Sequence, residues 1–176
     1  VAGRNKRRDD NFEFGTNPCS EIILRPFQFC NLSEVVVRAN DSDEALLDKV
    51  EAATILGTMQ ATLTSFKYLR RQWKDTTEKE RLLGVSLTGI MDHQILAGDI
   101  HNITRLTELL KEMKQKAVEV NKTWAKRFGI NQATAITCVK PSGTVSQLVN
   151  AASGIHARHN EHYIRRVRGD KKDPLT

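Results

Sequence analysis

A long run of helical periodicity, followed by a stretch typical of a buried strand, constrains the fold of this chain more than any other feature. Over residues 104–128 the apolar side chains recur every three or four positions and form one stripe. The stripe comprises Leu106, Leu109, Leu110, Met113, Ala117, Val120, Trp124 and Phe128. Gly129 stands where it would end the helix, and residues 133–139 then indicate a buried strand. A helix on a membrane surface needs no buried strand after it, so we predict an α/β fold in which this helix covers a sheet.

Other stretches predict further strands and helices. Residues 22–24 and 32–37 are apolar, with β-branched side chains, and indicate buried strands. Residues 43–73 have helical spacing but contain several threonines, which are modest helix formers, so this helix is expected to be broken. Residues 84–93 predict a strand and a tight turn. Residues 163–168 alternate basic and apolar side chains, like a strand with one charged face.

The composition is that of an ordinary intracellular protein. It is 39% hydrophobic and 27% charged, and no apolar run approaches the roughly 20 residues that a membrane helix requires. No signal peptide is visible, and three cysteines without a dense framework indicate a reducing compartment, so we expect a cytoplasmic protein with no membrane partner. The 27 Lys and Arg against 21 Asp and Glu give a net charge of +6, which suits nucleotides or nucleic acid. Residues 1–16 are expected to form a solvated loop.

Residues 17–21, Asn-Pro-Cys-Ser-Glu, combine a thiol with a carboxylate two positions away. Pro18 fixes its own φ and pushes Asn17 out of the helical region, so we expect a stiff, extended loop. Because side chains alternate along an extended chain, Asn17, Cys19 and Glu21 would line one face, with a reactive sulfur beside a possible base. A buried and inert cysteine explains the thiol equally well.

Two further cysteines lie in or beside predicted strands. Cys30 precedes the strand of residues 32–37, and a hairpin-like path would bring it back towards Cys19. Cys138 falls within the strand of residues 133–139 and is interpreted as a core thiol.

Residues 140–146, Lys-Pro-Ser-Gly-Thr-Val-Ser, join that last strand to an apolar helical start. A strand, a glycine-containing turn and a helix N-terminus present unpaired amides and a positive dipole end to an anion. Ser142, Thr144 and the backbone of Gly143 could therefore hold a phosphate. An ordinary helix cap remains the alternative when the loop is considered by itself.

Two motifs in this order resemble the catalytic chain of ribonucleotide reductases. Residues 17–21, followed by Cys-Asn-Leu-Ser-Glu at residues 30–34, look like the finger loop of that family, and residues 141–146 fall where the family holds the substrate's phosphates. The details are most similar to the adenosylcobalamin-dependent (class II) reductases of ribonucleoside triphosphates. The resemblance implies a ten-stranded α/β barrel with a central finger loop. Because the chain starts with Val1 and family members are several times longer, residues 1–176 are expected to be a fragment of the catalytic barrel domain.

The resemblance also implies a thiyl-radical mechanism for making deoxyribonucleotides. Adenosylcobalamin would generate the radical at Cys19, Glu21 would act as general base on the 3′-hydroxyl, and Asn17 would hydrogen-bond the substrate's hydroxyls. Cys30 would supply half of a redox-active disulfide, with a partner cysteine outside this chain and a thioredoxin-like dithiol as reductant. The phosphates of the ribonucleotide would lie at Pro141, Ser142, Gly143, Thr144 and Val145.

Two other functions remain open on the sequence. The iron-dependent ribonucleoside-diphosphate reductases share the finger loop but take their radical from a partner subunit. A basic nucleic-acid-binding module is prompted by the net charge and by residues 165–168, but it leaves the ordered motifs unexplained, so no direct nucleic-acid binding is expected. No metal site is expected at His156, His159 and His162, because no adjacent cysteine or carboxylate set completes one.

Overall fold

The computed structural model of the chain describes residues 7–9 and 11–174 and has a mixed α/β architecture. In chain order the elements are β1 (Gly15–Thr16), β2 (Ile23–Leu24), β3 (Asn31–Val36), α1 (Asp43–Gln60), α2 (Arg71–Glu80), β4 (Leu83–Thr88), α3 (Ile103–Phe128) and α4 (Thr144–Leu148). Single 3₁₀ turns at Ile90–Asp92 and Ile100–Asn102 separate β4 from α3. None of the helices in the described ranges is long and apolar enough to cross a membrane.

Strand β4 is the centre of the main sheet. It pairs in parallel with β3, from Asn31 opposite Leu83 to Val36 opposite Thr88. On its other side β4 meets the segment of residues 135–138, where the Cys138 amide donates to the Val85 carbonyl over 3.0 Å. The strand predicted at residues 133–139 is therefore present only as an irregular segment with a single bridge, between Val85 and Thr137.

Helices α1 and α3 cover one face of this sheet, and the core lies between them and the strands. Its buried members include Val35, Leu46, Val50, Leu83, Val85, Leu109, Met113 and Ala117. The predicted helix of residues 104–128 is confirmed as α3, and Gly129 ends it in the left-handed region with φ 65°. Leu110 belongs to the predicted stripe but is 45% exposed, because the face of α3 against α1 and the sheet is narrower than the apolar stripe.

A buried amide joins these layers. Asn121 of α3 donates to the Thr58 hydroxyl of α1 over 3.0 Å, and its side-chain oxygen accepts from the Ala133 amide over 3.0 Å. A polar side chain is stable in such a core when its hydrogen bonds are made. Asn121 therefore fixes where the segment after α3 starts its path along β4.

The helix predicted over residues 43–73 is broken, as expected. Helix α1 ends at Gln60, and α2 starts at Arg71. Between them the chain turns so that Trp73 stacks on Phe29, with 4.7 Å between ring centroids, and meets the edge of Phe27 at 5.6 Å. These aromatic contacts hold α2 against the segment that leads into β3.

Two predictions about the charged ends are wrong within the described residues. Residues 1–6 and 10 of the N-terminal stretch lie outside them, but Arg8 is not solvated, since its guanidinium bonds the buried Glu80 over 2.6 Å. Residues 163–168 do not form a strand and are exposed. A strand needs a neighbouring strand for its backbone groups, and in the part of the chain that the structure describes none pairs with them.

Candidate active site

The segment that carries Cys19 is the tip of the two-stranded hairpin β1–β2. Within it the Ser20 amide donates to the Asn17 carbonyl over 2.9 Å, and the Ile22 amide donates to the Asn17 side-chain oxygen over 3.0 Å. Ser20 lies in the left-handed region, with φ 61°. The segment is thus a closed turn, whose shape depends on the side chain of Asn17.

This geometry corrects the extended loop predicted from the sequence. Because residues 17–22 turn back on themselves, strict alternation does not align Asn17, Cys19 and Glu21 on one face. Cys19 is exposed at the tip, so the alternative of a buried, inert Cys19 is wrong. Glu21 points inward instead, and its Oε2 atom is buried without a hydrogen-bond partner among the described residues.

The hairpin is docked on the main sheet over Gly84, the second residue of β4. A Cβ atom at Gly84 would lie 2.4 Å from Leu32 Cδ2 and 3.1 Å from both Ile22 Cδ1 and Cys138 Sγ. These three side chains come from the hairpin, from β3 and from the segment beside β4. The missing side chain of Gly84 is what lets them converge, so the turn is seated on the sheet face opposite the helices.

Two further thiols lie around this point, close to the carboxylate of Glu21. Burial raises the pKa of Cys30, and the charge of Glu21 raises it further. Burial raises the pKa of Cys138 to about 12, assisted by the charges of Glu21, Cys30 and Glu34 and opposed by Lys140. Both thiols therefore stay protonated at neutral pH, the form that can give up a hydrogen atom or a proton.

Cys30 does not reach this place by a hairpin-like return towards Cys19. It precedes β3, which pairs in parallel with β4 and not with β2, so that prediction is wrong. The turn and the start of β3 meet because both pack over β4 at Gly84.

The loop of residues 140–146 is held at the same sheet face. The Lys140 amide donates to the Ser86 hydroxyl of β4 over 2.9 Å. The Ser142 hydroxyl donates to Glu34 Oε2 of β3 over 2.9 Å, and Ser142 is 0% exposed. The Ser142 carbonyl in turn accepts from the hydroxyls of Ser146 and Ser153.

The residues predicted to hold phosphate differ in how they are placed. Pro141, Gly143, Thr144 and Val145 are exposed at the start of α4, a helix of only five residues. The Ser142 hydroxyl donates its proton to Glu34, so the Ser142 side chain positions the loop. The neighbouring residues of the loop are exposed to solvent.

Sequence reasoning missed Glu34 and Gly84 as parts of this site. Glu34 was visible in the alternation 30, 32, 34, which places Cys30 and Glu34 on one face of a strand. Gly84 had no such signal, because its importance depends on a hairpin and two strands that meet in space.

Known proteins resemble this chain in both sequence and structure. No family model matches the chain. Curated proteins named adenosylcobalamin-dependent ribonucleoside-triphosphate reductase are similar to it over most of its length. The relative from Lactobacillus leichmannii is 26% identical over 92% of this chain and 24% of its own length. The relative from Lactobacillus acidophilus is 28% identical over 95% of this chain and 25% of its own, and that from Lacticaseibacillus paracasei is 28% identical over 99% and 26%.

A solved structure is also similar. It is described as the crystal structure of a B12-dependent (class II) ribonucleotide reductase, and it matches 81% of this chain and 22% of its own with a TM-score of 0.65 and 26% identity. The resemblance predicted from the two motifs is therefore confirmed. The chain spans about a quarter of the length of the curated relatives it matches.

Proposed function

We propose that this chain forms the catalytic centre of a class II ribonucleotide reductase, which reduces ribonucleoside triphosphates to 2′-deoxyribonucleotides for DNA synthesis. The observation that carries the proposal is the convergence of the Cys19 turn, Cys30 and the loop of residues 140–146 on one face of a parallel sheet. The likeness to named reductases over most of the chain supports the same reaction. A nucleic-acid-binding function would not explain why these three groups converge.

The main sheet would be one part of a ten-stranded α/β barrel. Its parallel strands, with helices on one face and a docked turn on the other, are what a segment of such a barrel requires. The turn that carries Cys19 would then be the finger loop that projects into the barrel.

Cys19 would begin the chemistry. Its exposed thiol would lose a hydrogen atom and become a thiyl radical, which then takes the 3′ hydrogen of the ribose. Asn17 holds the shape of the turn with its side-chain oxygen, so its amide NH₂ group is the donor it can offer to the substrate's hydroxyls. Glu21 would remove the proton of the 3′-hydroxyl as general base, and the 2′-hydroxyl would leave as water.

Cys30 would supply reducing equivalents. It and a second cysteine would together give two electrons and two protons, replacing the lost 2′-hydroxyl by hydrogen and forming a disulfide. A thioredoxin-like dithiol would return that disulfide to two thiols. Cys19 would then return the hydrogen to the 3′ carbon, which completes the deoxyribose and leaves a thiyl radical on Cys19. Cys19 would end the cycle as a thiol by regaining the hydrogen atom that it lost at the start.

The phosphate groups would lie against the exposed part of the loop. The backbone of Gly143 and Val145 and the hydroxyl of Thr144 would donate hydrogen bonds, with Pro141 fixing the entry to the loop. Ser142, which is buried, would lie beneath these groups.

Adenosylcobalamin fits the described residues at one point, the exposed sulfur of Cys19, which can be approached from outside the hairpin. When bound, this cofactor supplies a carbon-centred radical by homolysis of its cobalt–carbon bond. The role of this chain's residues towards it would be limited to presenting the Cys19 thiol at the tip of the turn.

The test uses a full-length protein that carries this chain. Reduction of a ribonucleoside triphosphate by a dithiol is measured with and without adenosylcobalamin. We expect cofactor-dependent product with the unchanged protein and none with Cys19→Ser. Cys30→Ser should still allow the early radical chemistry but not multiple turnovers. Glu13→Gln, an exposed change before the hairpin, serves as a matched control with normal turnover. Activity that required a radical-generating subunit in place of the cofactor would instead assign the iron-dependent reaction.

A further inference from the structure

Glu34 is a carboxylate inside the candidate site to which the proposed reaction gives no task. It lies on β3, four residues after Cys30, and its Oε2 atom accepts the hydrogen bond of Ser142 over 2.9 Å. Ser142 is fully buried. This bond joins two parts of the site directly: the strand that begins beside a redox thiol and the loop proposed to hold phosphate.

Among the described residues, the other side-chain hydrogen bonds of the loop run to β4 and to the loop and the segment after it. The Lys140 amide bonds Ser86 of β4, and the Ser142 carbonyl accepts from Ser146 and Ser153, which belong to the loop and the segment after it. Those bonds shape the loop and attach its entry to the sheet. Glu34 supplies the link to β3.

Stability does not account for this carboxylate. Glu34 Oε1 is buried and has no hydrogen-bond partner among the described residues. A buried charged oxygen without a partner destabilises a fold, so a neutral side chain of the same shape would serve the fold at least as well. The arrangement is better explained by what the Glu34–Ser142 bond positions.

We propose that Glu34 is a positioning residue for nucleotide binding, which fixes the phosphate loop against the strand of Cys30 through Ser142. The phosphates of the substrate and its reacting sugar are separated by a fixed length. The loop and the thiols must therefore keep one spacing for the sugar to reach Cys30 while the phosphates are bound. This inference rests on the proposed function, because it takes a nucleoside triphosphate as the ligand of the loop.

The test measures nucleotide affinity and turnover in a full-length protein that carries this chain. The variants are Glu34→Ala, Glu34→Gln, Ser142→Ala and the double alanine variant. Affinity for ATP is read by equilibrium dialysis, and thermal unfolding is followed for each protein. Ser33→Ala is the matched control, since Ser33 neighbours Glu34 on β3 but packs towards Gly57 on the opposite face.

We expect Glu34→Ala and Ser142→Ala each to weaken ATP binding at least about tenfold, the usual scale for losing a hydrogen bond to a charged group. The double variant should be no weaker than either single variant, because both remove the same contact. Glu34→Gln keeps an oxygen that accepts from Ser142, so its affinity should stay within about twofold of the unchanged protein while its unfolding temperature is equal or higher. Ser33→Ala should bind normally.

Three results would overturn the inference while the proposed function stands: unchanged affinity in both alanine variants, additive losses in the double variant, or a Glu34→Gln protein as weak as Glu34→Ala. A lower unfolding temperature in Glu34→Ala with normal affinity would likewise assign Glu34 a purely structural role. If the unchanged protein binds no nucleoside triphosphate, the proposed function fails, and this inference fails with it.

Discussion

Cys19 and Cys138 carry the same thiol in two different surroundings. Cys19 is exposed at the tip of a turn. Cys138 is half-buried behind that turn, where burial and neighbouring negative charge raise its pKa to about 12. Because the thiolate is the form that reacts with alkylating reagents, the two residues should differ widely in reactivity.

We expect iodoacetamide at pH 8 to label Cys19 first and Cys138 last in the folded chain. Cys30, whose pKa burial and the charge of Glu21 both raise, should fall between them. Mass spectrometry of peptides at successive times measures the three rates. In urea the rates should become similar, since unfolding removes the differences in burial. Labelling of Cys138 as fast as Cys19 in the folded chain would contradict this placement.

Glu21 should control the reactivity of Cys30. Replacing its carboxylate in Glu21→Gln removes a negative charge near the sulfur, which lowers the pKa of Cys30. At a pH below that pKa, its alkylation should speed up, because a lower pKa raises the fraction of reactive thiolate. Glu44→Gln, an exposed change at the start of α1, should leave the rate unchanged. Equal alkylation rates of Cys30 in the two variants would show that the charge of Glu21 does not affect the Cys30 thiol.

The same residues show where sequence reasoning stops. Asn17, Cys19 and Glu21 were identified as a chemical group from their types and spacing, but their geometry was predicted wrongly. The turn depends on Ser20 in the left-handed region and on the side-chain bond of Asn17 to the Ile22 amide. Alternation rules assume an extended backbone. Nothing in the pattern of residue types indicates that Ser20 adopts the left-handed conformation instead.

At the scale of elements, Gly84 decides whether the hairpin can sit on the sheet. Leu32, Ile22 and Cys138 occupy the space where its side chain would be. The contact therefore couples the hairpin to β3, β4 and the segment of residues 135–138. A side chain at this position would push these elements apart.

Gly84→Ala should lower the free energy of unfolding by about 1–3 kcal/mol, the usual cost of an extra methyl in a packed site. Chemical denaturation measures this, and faster alkylation of Cys138 would report that the hairpin has shifted. Gly15→Ala is the matched control, since a Cβ atom there has nothing within 4 Å, and its change should stay within about 0.5 kcal/mol. Equal losses in the two variants would mean that the crowding at Gly84 is relieved without cost.

Elements with a strong local pattern were predicted well, and the strands predicted within residues 32–37 and 84–93 are present as β3 and β4. The strands predicted at residues 133–139 and 163–168 were not formed as regular strands. Helix α3 followed from its apolar stripe and from Gly129, both of which are local. Residues 163–168 alternate like a strand but are exposed and unpaired in the described part of the chain. Alternation records which side chains share a face, whereas a strand forms only if another backbone completes its hydrogen bonds.

At the scale of the molecule, Glu80 joins parts of the chain that are far apart in sequence. Its carboxylate, at the end of α2, bonds Arg8 over 2.6 Å and Arg25 over 2.9 Å, and accepts from the Gln28 amide over 2.7 Å. The side chains of Glu80, Arg8 and Arg25 are each less than 5% exposed. The buried charge of Glu80 therefore binds α2 to the N-terminal segment and to the residues that follow the hairpin.

Glu80→Gln should destabilise the chain by about 3–5 kcal/mol at pH 7, because it leaves two buried guanidinium groups without their counter-charge. Denaturant unfolding measures the loss. Asp75→Asn is the contrasting control: its partner Arg71 lies 3.6 Å away, and both side chains are mostly exposed. Surface ion pairs of this kind contribute little, so that variant should change stability by less than about 1 kcal/mol.

The loss caused by Glu80→Gln should depend on pH. Burial raises the pKa of Glu80, but the hydrogen bonds and charges of Arg8, Gln28 and Arg25 outweigh it and hold the pKa below the ordinary value of 4.5. The ionised carboxylate therefore stabilises the folded chain fully above pH 4.5, and this contribution declines as the pH falls towards the lowered pKa. Glutamine does not titrate, so the two proteins should approach each other in stability over that interval. A difference that stayed constant from pH 7 to pH 3 would attribute the loss to packing instead of charge.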